Sequence, residues 1–133
     1  MALVVLDASV VIAFLDPDDA LHDATVQALA EHQHDDLVIP ASVHAEILVA
    51  PYRSGADAVA EVEGFLSDLA VRTEAITVEI ARGAARLRSG SRSLRLPDAL
   101  VLATGDEMEA EKVLTGDEAW ATISSRVTVV RAR

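Results

Sequence analysis

Short apolar runs that each give way to an acid constrain this chain more than any other feature. Residues 2–6, Ala-Leu-Val-Val-Leu, run straight into Asp7. Leu37-Val38-Ile39 closes at Pro40, shortly before Glu46, and Val113-Leu114 leads through Thr115-Gly116 to Asp117. Unbroken aliphatic runs without polar alternation are strands buried on both faces, the hallmark of a parallel sheet covered by helices. Such a sheet ends all its strands at one edge, where open α/β folds bind their ligands. A fourth acid, Asp98 in Leu-Pro-Asp-Ala, stands at the start of a helix.

The segments between the runs read as helices. Val10 to Leu15 is a short apolar helix. Asp16-Pro17 then reads as N-cap and first helical position of a helix to about Glu31, with Leu21, Ala24, Ala28 and Leu29 on one face. Ser42 is expected to cap a helix that carries Glu46 and reaches about Tyr52. Beyond Gly55, the residues Val59, Val62, Phe65, Leu66 and Leu69 form an amphipathic stripe. Val71 to Ile76 alternates and reads as an edge strand. Thr77 caps a helix through about Arg88, broken by Ser89-Gly90-Ser91, and Pro97 starts another that ends between Glu109 and Glu111. Asp117 opens a short helix, and Val127 to Val130 is the last strand. Strands alternating with helices predict an α/β domain with a central parallel sheet covered on both faces. At 133 residues it is expected to be a single domain over residues 1–133.

Charge sharpens the functional question. The net charge is −11, which by itself disfavours a nucleic-acid partner because phosphates attract Lys and Arg. The distribution is uneven, however. Between Ile80 and Pro97 lie Arg82, Arg86, Arg88, Arg92 and Arg95 without a single acid. The segment is either a solvated helix face and loop or a small electropositive rim beside an acidic site. Absence of cysteine excludes thiolate metal sites and a disulfide framework. The amino-terminal residues lack a basic region before the first acid, and no apolar run approaches the ~20 residues of a membrane helix, so a cytoplasmic location is expected. Trp120 and Tyr52 read as core or rim residues rather than base-stacking platforms.

One acid at a strand end is ordinarily a helix cap. Four in such places are better explained by one shared site. Carboxylates within ~4–6 Å of each other raise each other's pKa and destabilise the fold unless a cation or a proton neutralises them. An all-oxygen set suits Mg²⁺ or Mn²⁺, whereas zinc favours His and Cys. The histidines, His22, His32, His34 and His44, have no zinc-like spacing and read as structural or solvated. The chemistry that fits is metal-assisted hydrolysis of a phosphodiester, in which the cation lowers the pKa of a bound water and offsets charge at phosphorus. Thr-Gly-Asp-Glu occurs twice, at 104–107 and 115–118. The second copy directly follows a strand, which favours Asp117 over Asp106. A haloacid-dehalogenase-like phosphatase would need a second Asp where Ser9 stands, and a response-regulator receiver would need paired acids near the first strand.

These residues resemble the PIN-domain ribonucleases, in particular the VapC-like toxins of toxin–antitoxin pairs. The matching elements are Val-Val-Leu-Asp-Ala-Ser-Val at 4–10, Ala-Glu-Ile at 45–47, Leu-Pro-Asp-Ala at 96–99 and Leu-Thr-Gly-Asp at 114–117. They occur in the family's order over nearly the whole chain. The resemblance implies a three-layer α/β/α fold and a Mg²⁺- or Mn²⁺-dependent endoribonuclease. It also implies a homodimer inhibited by a cognate VapB-like antitoxin. It carries Asp7 and Asp98 over as core metal ligands, Glu46 as a direct or water-mediated ligand and water activator, and Asp117 as a fourth, more variable acid. Ser9 and Thr115 match hydroxyl positions that support the carboxylates or bind a phosphate oxygen. Gly105-Asp106 departs from the small apolar residues expected in the helix after Asp98. A non-catalytic PIN-like binding module is the alternative from a different functional class.

Overall fold

The computed structural model describes residues 1–132. Five parallel strands form one sheet in the order β3-β2-β1-β4-β5: β1 Leu3–Leu6, β2 Asp36–Pro40, β3 Arg72–Glu74, β4 Lys112–Thr115 and β5 Val127–Val129. Six helices cover the sheet: α1 Ala8–Leu15, α2 His22–Glu31, α3 Ala41–Ser54, α4 Ala56–Asp68, α5 Val78–Gly90 and α6 Leu96–Glu107. The three-layer α/β/α architecture follows from strand composition. Val4, Val5 and Leu6 are all wholly buried, so β1 has a helix layer on each side. Val113 and Leu114 of β4 are buried in the same way.

Register decides what meets at the carboxyl edge. Leu6 pairs with Leu114, and the Asp7 N–H donates to the Leu114 carbonyl at 3.0 Å. Asp7 therefore emerges beside Thr115. From β1 the chain winds outward through β2 to β3, then returns to place β4 on the opposite side of β1. The gap between β1 and β4 is the topological switch point, the place where such sheets open a crevice.

Most helix ends follow local chemistry. Asp7 caps α1, and Thr77 caps α5 by accepting from the Ile80 N–H at 3.2 Å. Gly55, at φ 134°, adopts a conformation closed to other residues and joins α3 to α4. Two expected starts are corrected. Asp16-Pro17 does not open α2, which begins at His22. The Asp16 carboxylate accepts instead from the Asp18 N–H at 2.9 Å, and Asp19 accepts from Leu21 at 2.8 Å, so the acids stabilise turns. Ser42 lies inside α3 rather than before it; extended Pro40 is the N-cap, and the buried Ser42 hydroxyl has no hydrogen-bond partner. The edge strand shrinks to Arg72–Glu74, where Arg72 pairs with Asp36 at 3.1 Å and Glu74 at 3.0 Å. Trp120 is buried beneath the 3-10 turn Glu118–Thr122, whereas Tyr52 is largely exposed on α3.

Helix α6 runs unbroken through Gly105 and Asp106. A Cβ on Gly105 would stand 2.6 Å from Val113 Cγ2, so this glycine lets α6 lie directly on β4. Asp106 points outward and pairs with Arg126 at 3.2 Å. In an exposed helix interior, Gly→Ala stabilises by up to ~1 kcal/mol. Here Gly105→Ala is expected to destabilise by about 1–3 kcal/mol through overpacking. Urea denaturation checks the sign; a stabilised variant would show that α6 and β4 are not in close contact.

Candidate metal centre

Asp7 is the best-held acid of the chain. It is 8% exposed, at the carboxyl end of the central strand. Its Oδ1 accepts from the Ala8 N–H at 2.8 Å, and its Oδ2 accepts from the Ser9 hydroxyl at 2.8 Å and the Thr115 hydroxyl at 2.9 Å. Each hydroxyl is itself fixed. The Gly116 N–H donates to Ser9 Oγ at 3.0 Å, and the Asp117 N–H donates to Thr115 Oγ1 at 3.1 Å. Asp7, Ser9 and the Thr115–Asp117 turn thus form one network across the switch point. Sequence reasoning gave Gly116 no role. A Cβ there would meet Leu21 Cδ1 at 2.6 Å and come within 3.5 Å of Ser9 Oγ; its place between a hydroxyl and an acid is the available signal.

Asp98 lies in the first turn of α6, where a negative charge complements the helix dipole. Glu46 projects from the second turn of α3 and lines an apolar cleft with Ile12, Leu15, Ile47 and Val62. Burial pushes the Asp7 carboxyl up, against the pull of the hydroxyl and backbone hydrogen bonds. Desolvation and then the charges of Asp7 and Asp98 push Glu46 up. Asp98 is raised by desolvation, by Asp7 and, less strongly, by Asp117. Arg95 partly offsets both shifts; its Nε stands 3.8 Å from Asp98 Oδ2. The acids therefore share one electrostatic field.

Asp117 is exposed at the rim of this group. Its Oδ1 accepts from the Ala119 N–H at 3.0 Å and caps the 3-10 turn. Asp106 is turned away toward Arg126. Arg82, Arg86, Arg88 and Arg92 are exposed and, among the described residues, contact no carboxylate; only Arg95 of that segment reaches the acids. Three histidines serve the scaffold. His22 bonds the Ala13 carbonyl at 2.8 Å, His32 bonds Asp35 at 2.7 Å, and His44 bridges Thr73 and Glu63 at 2.7 and 3.0 Å.

Among the described residues, no three acidic or histidine side chains close tightly enough around one point to hold an ion in this conformation. The donor chemistry nevertheless fits a hard divalent cation. Asp7 Oδ1 accepts only one hydrogen bond, leaving lone-pair capacity for a ligand bond. Asp98 and Glu46 offer further carboxylate oxygens, and their mutual repulsion is what a cation would relieve.

The chain belongs to the PIN domain family, whose model matches residues 4–125. Solved structures share the fold over nearly full length. A toxin–antitoxin complex from Klebsiella pneumoniae superposes with a TM-score of 0.81 at 21% identity, covering 98% of this chain and 99% of that one. VapC20 of Mycobacterium tuberculosis, a sarcin-ricin loop cleaving toxin, has a TM-score of 0.72 at 18% identity, covering 91% and 96%. VapBC-5 of the same organism, from the VapBC family of toxin–antitoxin systems, has a TM-score of 0.61 at 26% identity, covering 98% and 99%. No curated protein matches the chain. Among the described residues, no helix is long and apolar enough to cross a membrane.

The raised carboxyls set a pH dependence. Where a folded-state pKa lies above the unfolded value, the unfolded chain releases its proton first, so stability falls as pH rises through that window. In metal-free protein these three carboxyls are therefore expected to contribute stability that grows as pH falls through the window just above the ordinary carboxylate range. In Asp7→Asn this gain shrinks, because the most buried of the charges is gone. Thermal unfolding in chelator across that range measures it; an unchanged pH slope in the variant would contradict the strained state of Asp7.

Proposed function

We propose that this protein is a Mg²⁺- or Mn²⁺-dependent endoribonuclease and the toxin of a toxin–antitoxin pair. The observation that carries the reading is the buried Asp7 carboxylate, oriented by Ser9 and Thr115 in the electrostatic field of Glu46 and Asp98. Membership of the PIN family supports it, as does the likeness to toxins of toxin–antitoxin complexes.

Asp7 is assigned as the central ligand, since its hydrogen bonds fix its direction and leave Oδ1 available. Asp98 and Glu46 complete the ligand set, and Asp117 joins at the rim, directly or through water. A bound Mg²⁺ or Mn²⁺ would acidify a water for attack on phosphorus and offset the charge that builds on the phosphate. Glu46, with its raised proton affinity, is suited to receive the proton from that water at its Oε atoms. Ser9 and Thr115 hold the Asp7 carboxylate throughout. No side chain is needed as a nucleophile. A short antitoxin of the VapB kind is the expected protein partner, and a homodimer the expected assembly.

Metal-stripped protein incubated with total RNA is expected to cleave only after Mg²⁺ or Mn²⁺ is added. Asp7→Asn should lose at least the roughly 100-fold that even outer-sphere partners of a metal site can cost. Cleavage that persists in chelator, or in Asp7→Asn, would contradict the reading. No cleavage under any condition would favour a non-catalytic binding module.

The biological role is tested separately. Induced expression should arrest growth, Asp98→Asn should relieve the arrest, and co-expression of a short DNA-binding protein encoded directly upstream should do the same. Equal arrest by wild type and Asp98→Asn would detach toxicity from this site.

A further inference from the structure

Arg95 breaks a local rule at the edge of the acidic site. It is the N-cap of α6, with no side-chain capping bond. That position favours Ser, Thr, Asp or Asn, and a cation there opposes the positive end of the helix dipole. Departures of this kind are expected where function outweighs local stability. Its side chain is 80% exposed, and its one partner, Asp98, lies at 3.8 Å, beyond hydrogen-bond distance. So loose a pair holds the guanidinium weakly.

Three other arginines give the contrast, although Arg53, Arg82, Arg86 and Lys112 are also without a carboxylate partner among the described residues. Arg126 and Arg131 pair closely with Asp106 and Glu118 at 3.2 and 2.8 Å, as Arg72 does with Asp36 and Glu74. With 22 acids in the chain, carboxylate partners are abundant. Yet Arg88 and Arg92, in the last turn of α5 and the connector leading to Arg95, are exposed and have none among the described residues. Arg88 Nη1 reaches only the Ser91 carbonyl, at 3.5 Å, so the guanidinium groups nearest Asp98 along the chain lack a close carboxylate, and a guanidinium fork matches the geometry of phosphate oxygens.

We propose that Arg95 is a movable phosphate-binding residue, resting loosely against Asp98 and turning onto a non-bridging phosphate oxygen when RNA enters, with Arg92 and Arg88 receiving neighbouring phosphates. This deepens the ribonuclease reading and rests on it for the identity of the substrate. In the resting state the same charge competes with a cation for Asp98 and Glu46. Arg95 therefore acts in opposite directions on the two ligands, which a purely structural residue would not do.

The test uses a fluorescein-labelled single-stranded oligouridylate, bound to protein in the non-cleaving Asp7→Asn background across a salt series. Each phosphate contact on a single strand contributes about −0.7 to the slope of log K against log salt. Arg95→Gln should flatten the slope by about that amount, and Arg95→Lys should restore it. Arg88→Gln with Arg92→Gln should flatten it further. In the otherwise wild-type protein, calorimetric Mn²⁺ titration should show Arg95→Gln binding roughly 2- to 5-fold tighter, the scale of one partly screened charge. Arg53→Gln, the same charge change on exposed α3, should move neither quantity. An unchanged RNA slope, or weakening of RNA and Mn²⁺ together, would overturn the proposal. If wild type cleaves RNA but Arg95→Gln binds it normally, the nuclease stands and the role of Arg95 falls. If the slope flattens but wild type never cleaves, the phosphate site stands and the nuclease reading falls.

Discussion

The bond from the Thr115 hydroxyl to Asp7 Oδ2 spans 108 positions of sequence and closes the switch point between β1 and β4. The rest of the site is arranged around it. Asp7 could not be 8% exposed and ionised without donors, because a buried unpaired carboxylate would take up a proton instead. Thr115, Ser9 and the Ala8 N–H supply three such donors, and Gly116 and Asp117 fix the two hydroxyls in turn. The same carboxylate caps α1. One side chain therefore sets the direction of a helix, the closure of a crevice and the centre of an acidic field.

The scaffold delivers the remaining acids by simple geometry. All strands are parallel, so β1, β2 and β4 end at one edge, and α3 starts where β2 stops. Glu46 follows one helical turn later. Asp98 arrives from α6, which crosses the sheet against β1, β2 and β4 because Gly105 permits close contact with Val113. The acidic field has a cost, seen in the upward displacement of Asp7, Glu46 and Asp98. An ordinary stabilising design would avoid that cost. Its presence at a switch point is the kind of perturbed cluster that marks a candidate functional site.

Much of this was legible in the sequence where the signal was local and strong. The buried runs around Val4-Val5-Leu6 and Val113-Leu114 predicted a parallel sheet, because strands covered on both faces need no polar alternation. Thr77 announced α5 correctly. Caps next to several acids were less readable. Asp16-Pro17 looked like a helix start, but Asp16 and Asp19 each stabilise a turn of their own. Ser42 looked like an N-cap, but Pro40 ends β2 so abruptly that α3 begins two residues sooner. The distinction between the twin Thr-Gly-Asp-Glu segments depended on tertiary structure. Asp106 is engaged by Arg126, whereas Asp117 lies at the rim of the field around Asp98. The arginine segment was visible as a charge anomaly, yet only the fold separates Arg95, beside the acids, from Arg82 and Arg86 farther back on α5.

Manganese anomalous scattering from crystals grown or soaked with Mn²⁺ tests the central claim most directly. A peak about 2.0–2.2 Å from carboxylate oxygens of Asp7 and Asp98, with Glu46 bound directly or through one water, is the predicted result. Well-ordered crystals at saturating Mn²⁺ with no peak among these acids, or with peaks only elsewhere on the surface, would contradict it.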